Sequence, residues 1–239
     1  MLGVLKRAVK NLLRYEPLPQ TAAIRETIDI HNVDGQPFCP SSEGDLIYSL
    51  ITKNDFKNCL EVGFFTGSTA LYIAAATAPL KGRASSICLD KDDVVVRGQA
   101  LLQSEGYSEL HRVIRQNSNI ALPELFSSGE QYDFVFVDGW KTFDHLAFEI
   151  YLINQMLQHG GVVAFDDSHM PSVRKAIELL KSYYGYEEIE YKDHNHSLRL
   201  RLFHCLIYRS IHRPYRALKK TIKTEDQPPF QDMTFHREI

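Results

Sequence analysis

Cysteine is scarce in this chain. The four cysteines stand far apart, at positions 39, 59, 88 and 205. They form no Cys-x-x-Cys pair and have no histidine at the spacing of a zinc ligand, so the sequence gives no indication of a zinc site. We expect reduced thiols in packing positions.

Long apolar runs are absent as well. Basic residues at positions 6, 7, 10 and 14 interrupt the apolar residues near the start of the sequence, which argues against a signal segment or a membrane span there. We therefore expect a cytoplasmic location. Apolar residues at positions 2, 5, 9, 12 and 13 share one face of a predicted helix. This helix would lie on a membrane surface or, in the alternative that we favour, pack on its own domain or on a partner subunit.

Neither sign of charge dominates. The formal net charge is -3, whereas a nucleic-acid-binding domain would normally be strongly basic. We therefore expect a small molecule, and no nucleic acid, as the partner. A chain of 239 residues that is 44% hydrophobic has enough apolar side chains for one large core.

From residue 57 onward, short apolar segments alternate with helical patterns, as in βαβ units that build a parallel sheet. The predicted strands are residues 58–62, 85–89, 112–115, 134–137, 161–165, 187–191 and 198–208. The predicted helices are residues 43–52, 68–77, 92–104, 122–126, 143–158 and 172–183. Seven strands with interleaved helices predict an α/β fold with a doubly wound sheet.

The connection between the last two predicted strands, residues 192–197, is too short for a crossover helix. The two strands should therefore pair as a hairpin, which makes the sheet mixed, with its last strand antiparallel. We assign residues 43–208 to the sheet domain and residues 1–42 to an N-terminal helical extension. Residues 209–239 are first basic and then proline-rich, and are predicted to be a C-terminal arm that docks or stays partly disordered.

The first predicted strand leads into a turn with two glycines. Its sequence is Glu61-Val-Gly63-Phe64-Phe-Thr-Gly67-Ser68, and backbone without side chains can approach a ligand closely. A dinucleotide fingerprint would need a further glycine at position 65, and a P-loop would need a lysine after Gly67. These absences favour a nucleoside ligand without phosphates. The alternative is an ordinary turn in which Ser68 caps the helix.

Polar residues also follow the second and third predicted strands. Asp90 lies where an acidic residue commonly accepts hydrogen bonds from ribose hydroxyls, although it could instead cap the helix that starts near Asp92. Asn117 and Ser118 could bind the edge of a base, or could form a plain turn.

Acidic residues end two buried-looking strands. Asp138 follows residues 134–137, and the pair Asp166-Asp167 follows residues 161–165. Because ligands in parallel sheets bind outside the carboxyl ends of the strands, these three carboxylates should converge and repel one another unless a cation or a proton intervenes. Oxygen ligands favour Mg²⁺ or Mn²⁺ over zinc. Lys141 would lie beside this site with a lowered pKa, as a base; in the alternatives it would be an exposed lysine at the start of a helix or form a structural salt bridge to Asp144 or Glu149. His169 would contact the ligand or simply precede a helix.

These motifs together resemble class I S-adenosylmethionine-dependent methyltransferases over about residues 43–208. The segment Asp138-Gly-Trp140-Lys141 and the later acid pair are similar to those of metal-dependent O-methyltransferases of the catechol type, and the acid pair also resembles that of macrocin-type sugar O-methyltransferases. Asp167 stands where the catechol type has asparagine, and Gly139 stands where bulkier residues can occur. The acceptor therefore need not be a catechol.

The resemblance implies a Rossmann-like methyltransferase fold and S-adenosyl-L-methionine as the cofactor. It further implies Mg²⁺ at Asp138, Asp166 and Asp167, with Trp140 against the adenine and Lys141 as the general base. The expected catalytic residues are Lys141, Asp138 and His169. The expected cofactor-binding residues are Glu43, Glu61, Gly63, Phe64, Gly67, Ser68, Asp90, Asn117, Ser118, Asp138 and Trp140.

Three hypotheses follow. The first is a Mg²⁺-dependent O-methyltransferase that acts on a hydroxyl of a small-molecule acceptor with adjacent oxygens, such as a catechol or a sugar. The second is a metal-independent methyltransferase of the same fold, in which the acids bind the cofactor and cap helices. The third is a non-catalytic scaffold whose N-terminal helix and C-terminal arm bind another protein or a membrane. These two appendages could also form contacts in a homo-oligomer.

Overall fold

The computed structural model describes residues 17–31, 38–191 and 214–227. The predicted helix near the N-terminus, the predicted connection 192–197, the predicted strand 198–208 and Cys205 lie outside these residues. Among the described residues, no helix is long and apolar enough to cross a membrane.

Seven strands form one mixed sheet in the order β3-β2-β1-β4-β5-β7-β6. Strands β1 to β5 are parallel to their neighbours in this series, whereas β7 is antiparallel to both β5 and β6. The predicted α/β fold with an antiparallel last strand is therefore confirmed. The strands are β1 Asn58–Val62, β2 Arg83–Cys88, β3 His111–Arg115, β4 Tyr132–Val137, β5 Leu157–Phe165, β6 Tyr186–Glu188 and β7 Arg216–Lys220.

Seven α-helices flank the sheet in the described part of the chain. They are α1 Ala22–His31, α2 Ser41–Lys53, α3 Ser68–Thr77, α4 Asp92–Ser104, α5 Ser118–Ser127, α6 Phe143–Met156 and α7 Pro171–Tyr183. Short 3-10 turns occur at Pro19–Thr21, Ala78–Leu80 and Thr224–Asp226. Helix α5 begins four residues earlier than predicted, because Asn117 caps it by accepting a hydrogen bond from the Asn119 amide.

The core lies on both faces of the sheet, because successive side chains of a strand point to opposite faces. Val135 and Val137 of β4 pack with α5, α6 and α7, whereas Phe134 and Phe136 pack on the opposite side with α2 and α3. A sheet covered on both faces explains why residues 134–137 of β4 and residues 162–165 of β5 are continuously apolar.

Strand register brings the ends of four strands together at one edge of the sheet. Val62 of β1 pairs with Ile87 of β2 and with Val137 of β4, and Val137 pairs with Phe165 of β5. The residue after each strand end therefore starts a loop at the same edge. The strand order reverses at β1, because β2 and β3 lie on one side of it and β4 and β5 lie on the other. Ligands of doubly wound sheets bind at such a reversal.

The prediction of a C-terminal arm from residue 209 is wrong for Arg216–Lys220, which form β7 inside the sheet. The sequence suggested an arm that docks or stays partly disordered, because this segment is basic and the residues after it are proline-rich. However, Arg216 is 5% exposed and binds Glu188 through two hydrogen bonds of 2.8 and 2.6 Å. Lys220 is also buried, and its ammonium donates to the carbonyls of Asn154 and Leu157.

Candidate active site

A cleft of about 670 Å³ opens at the carboxyl edge of the sheet. Its walls come from the loops after β1, β2, β3, β4 and β5 and from the segment that precedes α2. The cleft lies at the change of strand direction, where the sequence predicted it. The predicted site residues that line it are Glu43, Gly63, Phe64, Ser68, Asp90, Asn117, Ser118, Asp138, Trp140 and Asp166.

The turn after β1 needs its glycines. Gly63 has φ +107°, and a β-carbon there would lie 2.5 Å from the backbone oxygen of Asp138. Gly67 has φ +75° and is the N-cap of α3, so the alternative interpretation of Ser68 as the cap is wrong. Ser68 instead lines the cleft and accepts a hydrogen bond of 2.9 Å from the amide of Cys39. The turn thus presents backbone and the start of a helix to the cleft.

Two predicted acids of this region have different positions. Asp90 lines the cleft, and its Oδ2 accepts a hydrogen bond of 3.0 Å from the amide of Phe65. Glu61 is 1% exposed and does not line the cleft; it accepts a hydrogen bond from Ser86 below the turn. Burial is the main reason why the pKa of Glu61 is raised. Glu61 thus supports the turn from inside the protein, and of the two acids only Asp90 lines the cleft.

The loops after β3 and β4 form one end of the cleft. Trp140 is 67% exposed and lines the cleft, so its ring is available for stacking. Ser118 lies 3.0 Å from Nε2 of His145, which the sequence analysis missed. His145 is itself 3.0 Å from the fully buried Glu149, four residues later on α6. The His-x-x-x-Glu spacing was the available signal, because residues i and i+4 share a helix face.

Three aspartates converge beside the cleft, as predicted. Asp138, Asp166 and Asp167 each offer a carboxylate oxygen, and these oxygens lie within 4.8 Å of one another. Burial, and then the charges of Asp138 and Asp167, raise the pKa of Asp166 to about 8. Asp167 has φ +51°, a left-handed conformation that aspartate tolerates better than most residues. Carboxylates that repel one another in this way fit a divalent cation with oxygen ligands.

Lys141 reaches the same cluster. Its Nζ donates a hydrogen bond of 2.9 Å to Asp138 and lies 3.8 Å from Asp167. Burial lowers the pKa of Lys141, but the negative charges of Asp138 and Asp166 outweigh burial, so that the net shift is upward. The prediction of a lowered pKa for Lys141 is therefore wrong for the protein without a bound cation. The predicted contact of Lys141 with the acid cluster is present.

His169 and Cys39 do not lie where the sequence predicted them. His169 is 7% exposed and does not line the cleft, so the structure does not bring it to the ligand wall. Cys39, which was expected to be a packing residue, lines the cleft beside Glu43. Cys59 is buried in the core, as expected.

Over part of its length the sequence is similar to those of methyltransferases. Residues 60–168 match the sequence profile of a family described as a methyltransferase domain. An Arabidopsis thaliana protein named after the caffeoyl-CoA O-methyltransferases is 30% identical over 129 residues, which are 54% of each chain. A flavonoid 3',5'-methyltransferase of Vitis vinifera is 27% identical over 176 residues, 70% of this chain and 73% of the relative.

A solved structure has the same fold. The O-methyltransferase TomG from Streptomyces achromogenes, in complex with SAM, superposes with a TM-score of 0.63 at 19% identity and covers 92% of this chain and 96% of TomG. The resemblance to class I S-adenosylmethionine-dependent methyltransferases is therefore confirmed by sequence and by fold. The matched segment spans about half the length of several of the curated relatives.

Proposed function

We propose that this protein is an S-adenosylmethionine-dependent O-methyltransferase that uses Mg²⁺ and methylates a hydroxyl of a small-molecule acceptor with adjacent oxygens. The observation that carries the proposal is the group of three aspartates whose oxygens lie within 4.8 Å of one another, at the edge of a cleft that also contains the glycine turn and Asp90. A nucleoside cofactor and an acceptor bound to a cation would meet at this edge.

The cleft residues have separate tasks in this proposal. The turn at Gly63 lets the cofactor approach the backbone, Asp90 accepts hydrogen bonds from ribose hydroxyls, and Trp140 stacks on the adenine. Asn117 and Ser118 line the cleft at the end where the adenine would lie. Holding the cofactor in one orientation lets the acceptor oxygen attack the methyl carbon in line with the departing sulfur.

Asp138, Asp166 and Asp167 would hold the Mg²⁺ ion. When bound, a divalent cation lowers the pKa of an acceptor hydroxyl and offsets the negative charge that raises the pKa of Lys141. Lys141 lies within hydrogen-bond reach of this cluster and is proposed to accept the proton of the hydroxyl. The names of the relatives, which include caffeoyl-CoA and flavonoid methyltransferases, support an acceptor with adjacent oxygens.

Calorimetry and an activity assay test the proposal. We expect S-adenosylmethionine to bind, and we expect methyl transfer to a panel of catechols and other diols to require Mg²⁺ and to stop in EDTA. The change Lys141→Met should lower kcat roughly 100- to 10,000-fold and leave cofactor affinity unchanged, because it removes only the base. The exposed Lys53 gives a matched control, Lys53→Met. Absence of cofactor binding at millimolar concentration would refute the proposal.

A metal-independent methyltransferase is the second candidate. It is favoured by the position of Lys141, whose ammonium already neutralises part of the aspartate cluster. Full activity in EDTA, retained after Asp166→Ala, would select this candidate over the first.

A further inference from the structure

Three polar side chains form a hydrogen-bonded cluster inside the protein, below the glycine turn. Glu61 of β1 pairs in register with Ser86 of β2, and the Ser86 hydroxyl is hydrogen-bonded to the Glu61 carboxyl. His111 of β3 extends the cluster, since its Nε2 lies 2.7 Å from the same hydroxyl. Glu61 and Ser86 are 1% and 0% exposed, and none of the three residues lines the cleft. The cluster therefore lies behind the cleft wall.

Serine, histidine and an acid also form the catalytic groups of many hydrolases, but their order in this cluster is different. A nucleophilic serine needs the histidine between itself and the acid, so that the imidazole can accept the serine proton. Here Ser86 lies in the middle and is fully buried. The cluster thus offers no nucleophile to a substrate, although the hydrogen atoms along it can be rearranged.

Two arrangements of hydrogen atoms satisfy the cluster without any movement of its heavy atoms. When Glu61 is ionised, Nε2 of His111 donates to Ser86 and the Ser86 hydroxyl donates to Glu61. When Glu61 is protonated, Glu61 donates to Ser86, and Ser86 donates to Nε2 of the His111 tautomer that carries its proton on Nδ1. The second arrangement holds one more proton, which comes from the solvent.

The imidazole is neutral in both arrangements. This agrees with the burial of His111, which lowers its pKa to about 4. The atoms at the two ends of the cluster are also open to the change, because Oε1 of Glu61 and Nδ1 of His111 are buried and have no hydrogen-bond partner. The charge of the cluster is therefore the charge of Glu61.

The surroundings of Glu61 favour its protonated form. Burial is the main cause of its raised pKa, which the hydrogen bond from Ser86 opposes and the negative charges of Asp138 and Asp90 increase further. The thiol of Cys88, on β2, also has a raised pKa, mainly through burial, and stays uncharged. A new positive charge in the cleft would act in the opposite direction and favour the ionised carboxyl.

We propose that Glu61, Ser86 and His111 form a proton-linked switch below the glycine turn, which releases a proton when the sulfonium cofactor binds and takes one up after the methyl group has been transferred. The inference rests on the proposed function, because the methyl donor carries a sulfonium charge and the product is a neutral thioether. His111 is a positioning residue in this switch, since it accepts the Ser86 hydrogen bond when Glu61 is protonated. A higher pH then favours the methyl donor over the product.

Calorimetry tests the switch by comparing S-adenosylmethionine with S-adenosylhomocysteine from about pH 6 to about pH 9. Saturating Mg²⁺ keeps protons off the aspartate cluster. In the wild type, the ratio of the two affinities should rise with pH in favour of S-adenosylmethionine, by at most about tenfold per pH unit, which is the limit for one proton.

Two variants should move this rise in opposite directions. Ser86→Ala removes the donor that stabilises ionised Glu61, so the rise should occur at higher pH. His111→Phe keeps a ring that can stack on Phe64, but leaves the Ser86 hydroxyl without an acceptor when Glu61 is protonated, so the rise should occur at lower pH. A merely structural effect would change the affinities for both nucleosides at every pH.

Ser85→Ala is the matched control, because Ser85 is the neighbour of Ser86 in β2 and its side chain points to the opposite face of the sheet. It should keep the curve of the wild type. The amino groups of the two nucleosides titrate in every experiment, so only differences between the protein variants are interpreted. Equal curves for the wild type, Ser86→Ala and His111→Phe, or shifts of both variants in the same direction, would overturn the inference.

Infrared difference spectroscopy detects the proton in the wild-type protein directly. With Mg²⁺ present, S-adenosylmethionine should reduce the absorption of protonated carboxyl groups more than S-adenosylhomocysteine does, and Glu61→Gln should abolish this excess. An equal effect of the two nucleosides on the wild type would overturn the inference even if no variant folds, and so would an excess that persists in Glu61→Gln. Failure of the wild type to bind either nucleoside would instead refute the proposed function.

Discussion

The pKa of Asp166 depends on the side chains that surround it. Burial and two neighbouring aspartates raise its pKa to about 8, so the folded protein without metal keeps a proton there at neutral pH. In the unfolded chain the same carboxyl titrates near pH 4. Between these two pKa values the folded state binds more protons than the unfolded state, so the free energy of unfolding falls as the pH rises. Above the pKa of the folded state this dependence on pH disappears.

We expect the free energy of unfolding in EDTA to fall between pH 6.5 and pH 8, with a slope that approaches about 1.4 kcal/mol per pH unit for this one proton. Asp166→Asn should remove this slope and stabilise the protein at pH 8, because an amide has no charge to repel. Mg²⁺ should stabilise the wild type more at pH 8 than at pH 6.5, since the proton competes with the cation. Urea unfolding measures all three.

Asp29→Asn, at an exposed position of α1, should keep the slope of the wild type. Equal slopes for the wild type and Asp166→Asn would show that Asp166 is not protonated in this range.

At the residue scale, the sequence predicted which acids converge but not how they affect Lys141. Convergence follows from strand ends alone, because parallel strands share one edge. The pKa of Lys141 depends on whether burial or the aspartates dominate, and this requires distances that no spacing reveals. Cys39 was missed for a similar reason, since it reaches the cleft only through the packing of the segment before α2. His145 was missed although its spacing from Glu149 on one face of α6 was a signal in the sequence.

At the scale of elements, the turn from β1 to α3 and the loop after β4 form one unit. The amide of Asp138 donates to the carbonyl of Val62 at 2.8 Å, and the α-carbon of Gly63 approaches the backbone of Asp138. The glycine turn and the first aspartate of the cluster are therefore in direct contact. A change in either loop should displace the other.

Gly63→Ala should disturb both the glycine turn and the position of Asp138. The new β-carbon would lie 2.5 Å from the backbone oxygen of Asp138, and alanine disfavours φ +107°, so we expect a loss of roughly 2–5 kcal/mol in the free energy of unfolding. We also expect weaker binding of both S-adenosylhomocysteine and Mg²⁺. Urea unfolding and calorimetry measure these effects.

Gly129→Ala is the matched control. Gly129 has φ +78°, yet a β-carbon there meets nothing within 4 Å. This variant should lose only about 1 kcal/mol, the cost of the backbone conformation, and should bind both ligands normally. Equal ligand affinities in the two variants would mean that the contact between Gly63 and Asp138 does not couple the sites.

Strand β7 was not predicted from the sequence. Strands β1 to β5 were predicted because short apolar segments alternate with helical patterns in this part of the sequence. Strand β7 has the sequence Arg-Ala-Leu-Lys-Lys, and its basic residues indicate an exposed segment. Its burial becomes possible only through partners distant in sequence, Glu188 for Arg216 and the end of α6 for Lys220. A predicted strand with a clearer pattern, 198–208, lies outside the described residues.

At the scale of the whole molecule, β7 joins the last part of the described chain to the sheet and to the aspartate cluster. It lies between β5 and β6, so each of them pairs with it through backbone hydrogen bonds. Just before β7, the carbonyl of Pro214 accepts a hydrogen bond of 2.7 Å from the amide of Ser168, the residue after Asp167. The conformation of the aspartate pair therefore depends on a segment that lies about 50 residues further along the chain.

Two truncations test this dependence. A chain that ends after residue 208, at the predicted start of the arm, would lose β7 and expose the edge of β5 together with the apolar side chains that Ala217 and Leu218 cover. We expect it to show no cooperative unfolding transition and to aggregate, because an unpaired central edge is a template for association. A chain that ends after residue 227 keeps every described element and should unfold cooperatively. Thermal unfolding followed by circular dichroism distinguishes the two, and a folded, Mg²⁺-binding protein that ends at residue 208 would show that β7 is dispensable for both the sheet and the aspartate site.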